Sequence, residues 1–256
     1  MSISIWVILW LFLSGALLYF LGWTLFILFR QKQAWKSFSV RKKLRYRAHS
    51  MMASPEISGA LNGYSINFLI AEHFTPDGRS SRKLTAIEVQ LLSKMPFEGG
   101  IASGGMVSLI QSIRMREETK PNHPKWDKNY IAASSSGAAM EAYLTPERID
   151  ALTSLMKIRN GWVILIFRAD AFLLRFDTPD PLESQQKLEK LTDKILEMAK
   201  ILELKPGEDG RLKLETTKKP IKEKVLAVDD RDFKESDAFQ LEDDQPKADQ
   251  PEKEKP

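Results

Sequence analysis

The chain of 256 residues has no cysteine and only three histidines. The first absence excludes disulfides, thiolate nucleophiles and cysteine-ligated metals. The histidines, His49, His73 and His123, form neither HxxxH nor HExxH, the spacings that set two imidazoles on one helix face for zinc. GxGxxG and the G-x-S-x-G nucleophile elbow are also missing. The segment Gly99-Gly100-Ile101-Ala102-Ser103-Gly104-Gly105 lacks the Lys and Ser/Thr that a phosphate loop carries next, so it reads as a flexible connection or bulge. The serines at 134–136 have no elbow around them and no histidine nearby in sequence. No catalytic, cofactor or metal constellation is expected.

Charge is absent where it matters most. Residues 1–29 hold no charged side chain, and 17 of the 27 residues from Ile3 to Phe29 are Leu, Ile, Phe or Val. About 20 such residues cross a hydrocarbon core, and these favour insertion by roughly 5–10 kcal/mol. A cleaved signal would need a basic start, a shorter apolar run and a small-residue cleavage site; the expectation is an uncleaved single-pass anchor over 1–29. Trp6 and Trp10 are expected at its outer interface and Trp35, with Tyr46, at its inner one. Gly15 and Gly22 share a helix face, which leaves homodimerisation through that face as a secondary expectation.

Acids are absent from the next stretch. Between residues 30 and 47 stand Arg30, Lys32, Lys36, Arg41, Lys42, Lys43, Arg45 and Arg47 with no Asp or Glu. Basic flanks stay in the cytoplasm, so the reading is N-terminus outside and everything from Arg30 onward cytoplasmic, as in a bacterial inner membrane. Anionic lipids are the expected contact of all eight bases, at about 1 kcal/mol each. This local excess also explains the sequence pI near 9.1. Residues 48–205 carry 19 bases and 19 acids and are neutral, so nucleic acid is not an expected partner.

Those 158 residues suit one soluble domain. Asn62-Gly63 between Ile57–Leu61 and Tyr64–Phe74 is a hairpin signature. A turn at Thr75-Pro76-Asp77-Gly78 leads to a third strand over about 83–93. Met106–Met115 reads as helix, the polar stretch 117–128 as a loop dividing the domain into two lobes or layers, and 129–134 as a short strand. Thr145-Pro146 starts a helix that Asn160-Gly161 stops; Trp162–Phe167 and Ala171–Phe176 form a second hairpin. Asp180-Pro181-Leu182-Glu183 repeats the helix start, followed by a stripe of Leu188, Leu191, Ile195, Met198 and Leu202. Glu72 and Glu88 sit inside strand patterns and read as exposed edge positions, with facing each other across the first sheet as the lesser alternative.

Past Lys205, 26 of the last 51 residues are charged and five are proline, a composition that does not bury enough apolar area to order the chain. Within this stretch 211–215 alternates like a weak strand, and 224–241 carries apolar residues suited to a ligand that folds on a partner. The fold class expected is α+β: a single N-terminal transmembrane helix (1–29), a basic juxtamembrane segment (30–47), a domain of antiparallel hairpins packed with helices (48–205) and a disordered tail (206–256). The expected function is non-catalytic binding of other membrane or cytoplasmic proteins, as scaffold, assembly factor or accessory subunit. The alternative is a membrane-tethered enzyme or sensor for a small molecule or lipid headgroup, its pocket bordered by the 99–105 and 117–128 segments.

Overall fold

Asn62 and Gly63 adopt φ of 52° and 88°, the left-handed pair that a two-residue hairpin turn requires. They fold β2 (Glu56–Leu61) onto β3 (Tyr64–Phe74), with Ile57 opposite Phe68 and Leu61 opposite Tyr64. The computed structural model containing this hairpin describes residues 5–48, 53–74, 81–113, 115–168 and 170–217. The turn read at 75–78, His49, and the tail beyond 217 with its 224–241 segment lie outside the described residues.

The hairpin belongs to a single antiparallel sheet. Its other strands are β1 (Arg45–Arg47), β4 (Ser81–Gln90), β5 (Gly99–Ala102), β6 (Glu117–Glu118), β7 (Ile131–Ser134), β8 (Trp162–Phe167) and β9 (Phe172–Thr178). Their spatial order is β1-β2-β3-β4-β9-β8-β5-β7-β6. The expected division into two lobes at 117–128 is therefore corrected, because β9 joins β4 and ties the first meander to the second hairpin. The glycine-rich segment is not a flexible connection either. Gly99–Ala102 is a fully buried strand between β8 and β7, and a Cβ on Gly99 would stand 2.3 Å from the Phe167 ring. The helix expected over 106–115 is a 3₁₀ turn at Gly104–Met106 and the short α2 (Val107–Ser112).

Strand alternation gives the sheet two unlike faces. The front carries Ile57, Ile66, Phe68, Ile87, Val89, Val163, Leu165, Phe167, Leu174 and Phe176, all buried. They pack with α3 (Gly137–Tyr143), α4 (Pro146–Met156), α5 (Gln185–Leu202) and α6 (Glu208–Thr217) in one core. The hydroxyl of Thr145 accepts from the Arg148 amide and Pro146 opens α4, as its sequence dictates. On the back, among the described residues, α2 covers only the β5–β7–β8 part, through Met106, Ile110, Ile131 and Ile164.

Three further boundaries differ from the sequence reading. Helix α1 runs unbroken from Ile5 to Lys42, well past Phe29. Helix α5 begins after Ser184, not after Asp180: Leu182 takes φ of 52° to bury its side chain, and the Asp180 carboxylate accepts from the Leu182 amide in a local turn. Residues 211–215 lie in α6, not a strand, so the folded unit extends beyond Lys205.

Candidate functional site

The C-terminal third of α1 is where the apolar helix meets the domain. Gln31, Ala34, Trp35, Phe38 and Ser39 recur at helical spacing and are its buried residues. Phe68 receives two rings edge-on: Trp35 at 6.2 Å between centroids and Phe38 at 5.4 Å. Trp35 has no exposed surface, so it is a core residue of the front face rather than an interface anchor. Trp6 and Trp10 stand exposed on the apolar stretch.

Helix α1 stops through a Schellman turn. The Leu44 amide donates to Ser39 O and the Lys43 amide to Val40 O, with Lys43 at φ of 55°. The chain then reverses into β1, which pairs with β2 and keeps the junction short. Fewer than ten residues separate Arg30 from the second ring on Phe68, a rise of about 12 Å.

This geometry divides the eight bases into sets. Arg30 pairs with Glu183 at 3.8 Å, Arg41 with Glu189 at 3.3 Å and Lys42 with Asp193 at 3.8 Å. These are solvent-exposed pairs worth about 0–1 kcal/mol each; the last two join α1 to α5 and the first joins it to the segment just before α5. Lys32 and Lys36 lie along another stripe of α1, beside Gln33 and Tyr46. Lys43, Arg45 and Arg47 are exposed at the helix end and on the edge strand. The collar is thus a folded element with distinct faces rather than one continuous basic segment. Burial pushes the Tyr46 hydroxyl above its ordinary pKa.

The uncovered part of the back face holds a second polar cluster. Asp177, wholly buried, accepts from Arg175 Nε and Nη2 at 2.8 Å and sits 2.5 Å from His73 Nε2. Arg175 Nη1 also reaches Glu88 at 3.2 Å, its cross-strand partner. His73 stacks edge-on against Trp162, centroids 5.4 Å apart. Burial works against the Arg175 charge, but the Asp177 hydrogen bonds and the two carboxylates outweigh it and raise the pKa. Both Asp177 oxygens have partners, so the cluster braces β3, β4 and β9. Glu72 does not meet Glu88; it pairs with Lys83 at 3.6 Å on the surface.

The remaining sequence candidates serve the fold. Ser134 Oγ donates to Ser136 O, Ser136 caps α3, and Ser135 ties to Glu98. His123 lies in a loop near Asp150. Among the described residues no group of three or more His, Asp or Glu side chains could hold a metal ion. The collar's acidic partners on α5 were missed by sequence reasoning, although Glu189 and Asp193, four residues apart, share a helix face and signalled such a match.

No family model matches the chain, and no curated protein matches it. Among solved structures it is similar to the crystal structure of the mycobacterial trehalose monomycolate transport factor A, at 7% identity and a TM-score of 0.39, over 67% of this chain and 94% of that one. A likeness that distant carries no argument about what this chain does.

Proposed function

We propose that α1 crosses a membrane once, N-terminus outside, and that the domain works on the cytoplasmic side by binding other proteins, as scaffold, assembly factor or accessory subunit. Helix α1 is long and apolar enough for the span, and the eight bases that follow it without an acid support the orientation. The observation that carries the binding role is the continuity of α1 with the core. Trp35 and Phe38 are at once part of the anchor helix and part of the front-face packing, so the domain is held in one pose instead of swinging on a linker. A fixed pose suits presentation of a surface to a neighbour. The surface offered is the half of the back face that α2 leaves uncovered, with Ser65, Asn67 and Gln90 exposed and Leu69, Ala71 and Leu173 half-buried.

The test is site-specific photocrosslinking of the full chain in its native membrane. A crosslinker at Asn67 should yield a discrete adduct with another protein, whereas one at Glu197, exposed on α5, should not. Equal yields from both positions, or no protein adduct at Asn67, would overturn the binding role. Protease added to right-side-out vesicles should spare the domain; digestion there would overturn the orientation.

A further inference from the structure

Gly22, Leu25, Phe26, Phe29, Lys32, Gln33 and Lys36 follow one another at steps of three or one along a single stripe of α1. With Leu28 and Tyr46 they line a groove of about 780 Å³, within the 300–1,000 Å³ typical of small-molecule sites. Its character changes along its length. At one end the lining is wholly apolar, with Gly22 leaving open space where a side chain would stand. The other end carries two lysines one helical turn apart, an amide and a phenol. From Gly22 to Lys36 the stripe rises about 21 Å.

We infer that this groove holds a single phospholipid with an anionic headgroup, its acyl chain along Gly22–Phe29 and its phosphate between Lys32, Lys36 and Tyr46. The inference rests on the reading of α1 as a membrane span, and it replaces diffuse attraction by all eight bases with one built site. The order of chemistry along the stripe matches the order within a lipid, tail first and headgroup at the basic end. The position matches too, since the change from Phe29 to Lys32 falls where the uncharged run ends and the basic run begins. A second transmembrane helix fits less well. Close helix pairs are built on small residues, whereas Gly22 stands here among Leu25, Phe26 and Phe29.

Full-length protein is reconstituted in mixed phosphatidylcholine–phosphatidylglycerol vesicles carrying a phosphatidylglycerol with a photoactivatable acyl chain, and the labelled peptides are mapped. Label should concentrate on Leu25–Phe29 and fall on the order of tenfold in a Lys32→Gln/Lys36→Gln double variant, the loss expected for two lysines at an anionic headgroup. It should be unchanged in Arg45→Gln/Arg47→Gln, which removes as much charge from the edge strand. Gly22→Phe should reduce labelling by filling the apolar end. Equal loss in both double variants would mean diffuse attraction, and even labelling along α1, labelling unaffected by Lys32→Gln/Lys36→Gln, or a Gly22-dependent crosslink between two α1 helices would likewise overturn the site. Alkaline extraction separates the two levels of the claim. Protein that stays in the vesicles but labels evenly refutes only the lipid site, while protein that is extracted refutes the membrane span beneath it.

Discussion

The Trp35 indole stands edge-on to the Phe68 ring at 68° between planes, and through that contact a helix apolar enough to cross a membrane is keyed into the front face of the sheet. Truncation there removes a large, fully buried side chain from both elements. Trp35→Ala should destabilise the domain by about 3–5 kcal/mol. Trp35→Phe should cost much less, because it keeps the ring contact and removes an indole N–H that has no hydrogen-bond partner among the described residues. Trp6→Ala and Trp10→Ala, on the exposed apolar stretch, should leave domain unfolding unchanged. Urea titration of the full chain in detergent, followed by near-ultraviolet circular dichroism, separates these outcomes; a Trp35→Ala midpoint equal to the parent's would refute the keyed junction.

Arg148 fastens α6 to the rest of the fold. Its guanidinium is enclosed and makes two hydrogen bonds to Glu208, at 2.8 and 2.6 Å, while donating to the carbonyls of Tyr143 and Glu203 and lying 4.4 Å over the Tyr143 ring. Burial opposes its charge, and the Glu208 hydrogen bonds more than restore it, so its pKa is raised. Removing one partner of a buried pair costs roughly 3–5 kcal/mol, because the other charge is left uncompensated. Glu208→Ala should therefore be severe and Asp209→Ala, in an exposed pair with Lys213, nearly neutral. Ending the chain at Lys205 should be at least as damaging as Glu208→Ala, since it also removes the buried Leu212; a truncated chain with the parent's melting temperature would return the domain boundary to 205.

The same pair sets an acid limit. Hydrogen bonds from Arg148 hold the Glu208 carboxyl below its ordinary pKa of 4.5. A depressed folded-state pKa contributes stability that is complete above the unfolded value and is lost as pH falls through the folded one. Stability should accordingly decline below about pH 4.5, and Glu208→Gln, weaker at neutral pH, should show a shallower decline. Glu147, Asp150 and Asp209 are also held low, by Lys205, Lys125 and Lys213 respectively. Those groups lie in solvent, and added salt should mute their share while leaving the Glu208 share. Parallel acid limbs in parent and Glu208→Gln at high salt would remove Glu208 from the account.

Local signals carried the sequence reading where local chemistry decides structure. Asn62-Gly63 and Thr145-Pro146 are such cases, because their turn and cap are made by neighbours in sequence. The reading failed where distant groups decide. Asp180-Pro181 carries a helix-start pattern, yet burial of Leu182 takes the backbone into the left-handed region and postpones the helix to Gln185. The alternation at 211–215 suggests a strand, but only Leu212 has a core to enter, and Leu214 remains 67% exposed on a helix that Arg148 holds from far away in sequence. Trp35 and Phe38 were legible as aromatics spaced among bases. Their helical period with Gln31 and Ala34 pointed to a buried face instead, and only the partner Phe68 shows what that face packs against.

Gly99 exposes the tightest demand of the central strand. A methyl group there would lie 2.3 and 2.9 Å from two Phe167 ring atoms and 3.0 Å from the Met140 terminal methyl. Phe167 is wholly buried and touches the rings of Phe97, Tyr143 and Phe172, so it has little room to yield. Overpacking of this kind costs about 1–3 kcal/mol, and Gly99→Ala should fall in that range. At Gly100 the nearest obstacle is the Cδ1 end of Ile110, on the short helix that covers the back face, and the next neighbours stand at 3.4 Å, so a shift of that one end methyl relieves most of it. Gly100→Ala should thus cost less than Gly99→Ala, although both lie in one four-residue strand. Thermal melts of the two variants decide the matter: the reverse order, or two equal costs, would mean that the crowding is set by the backbone of β5 rather than by which face its neighbours occupy.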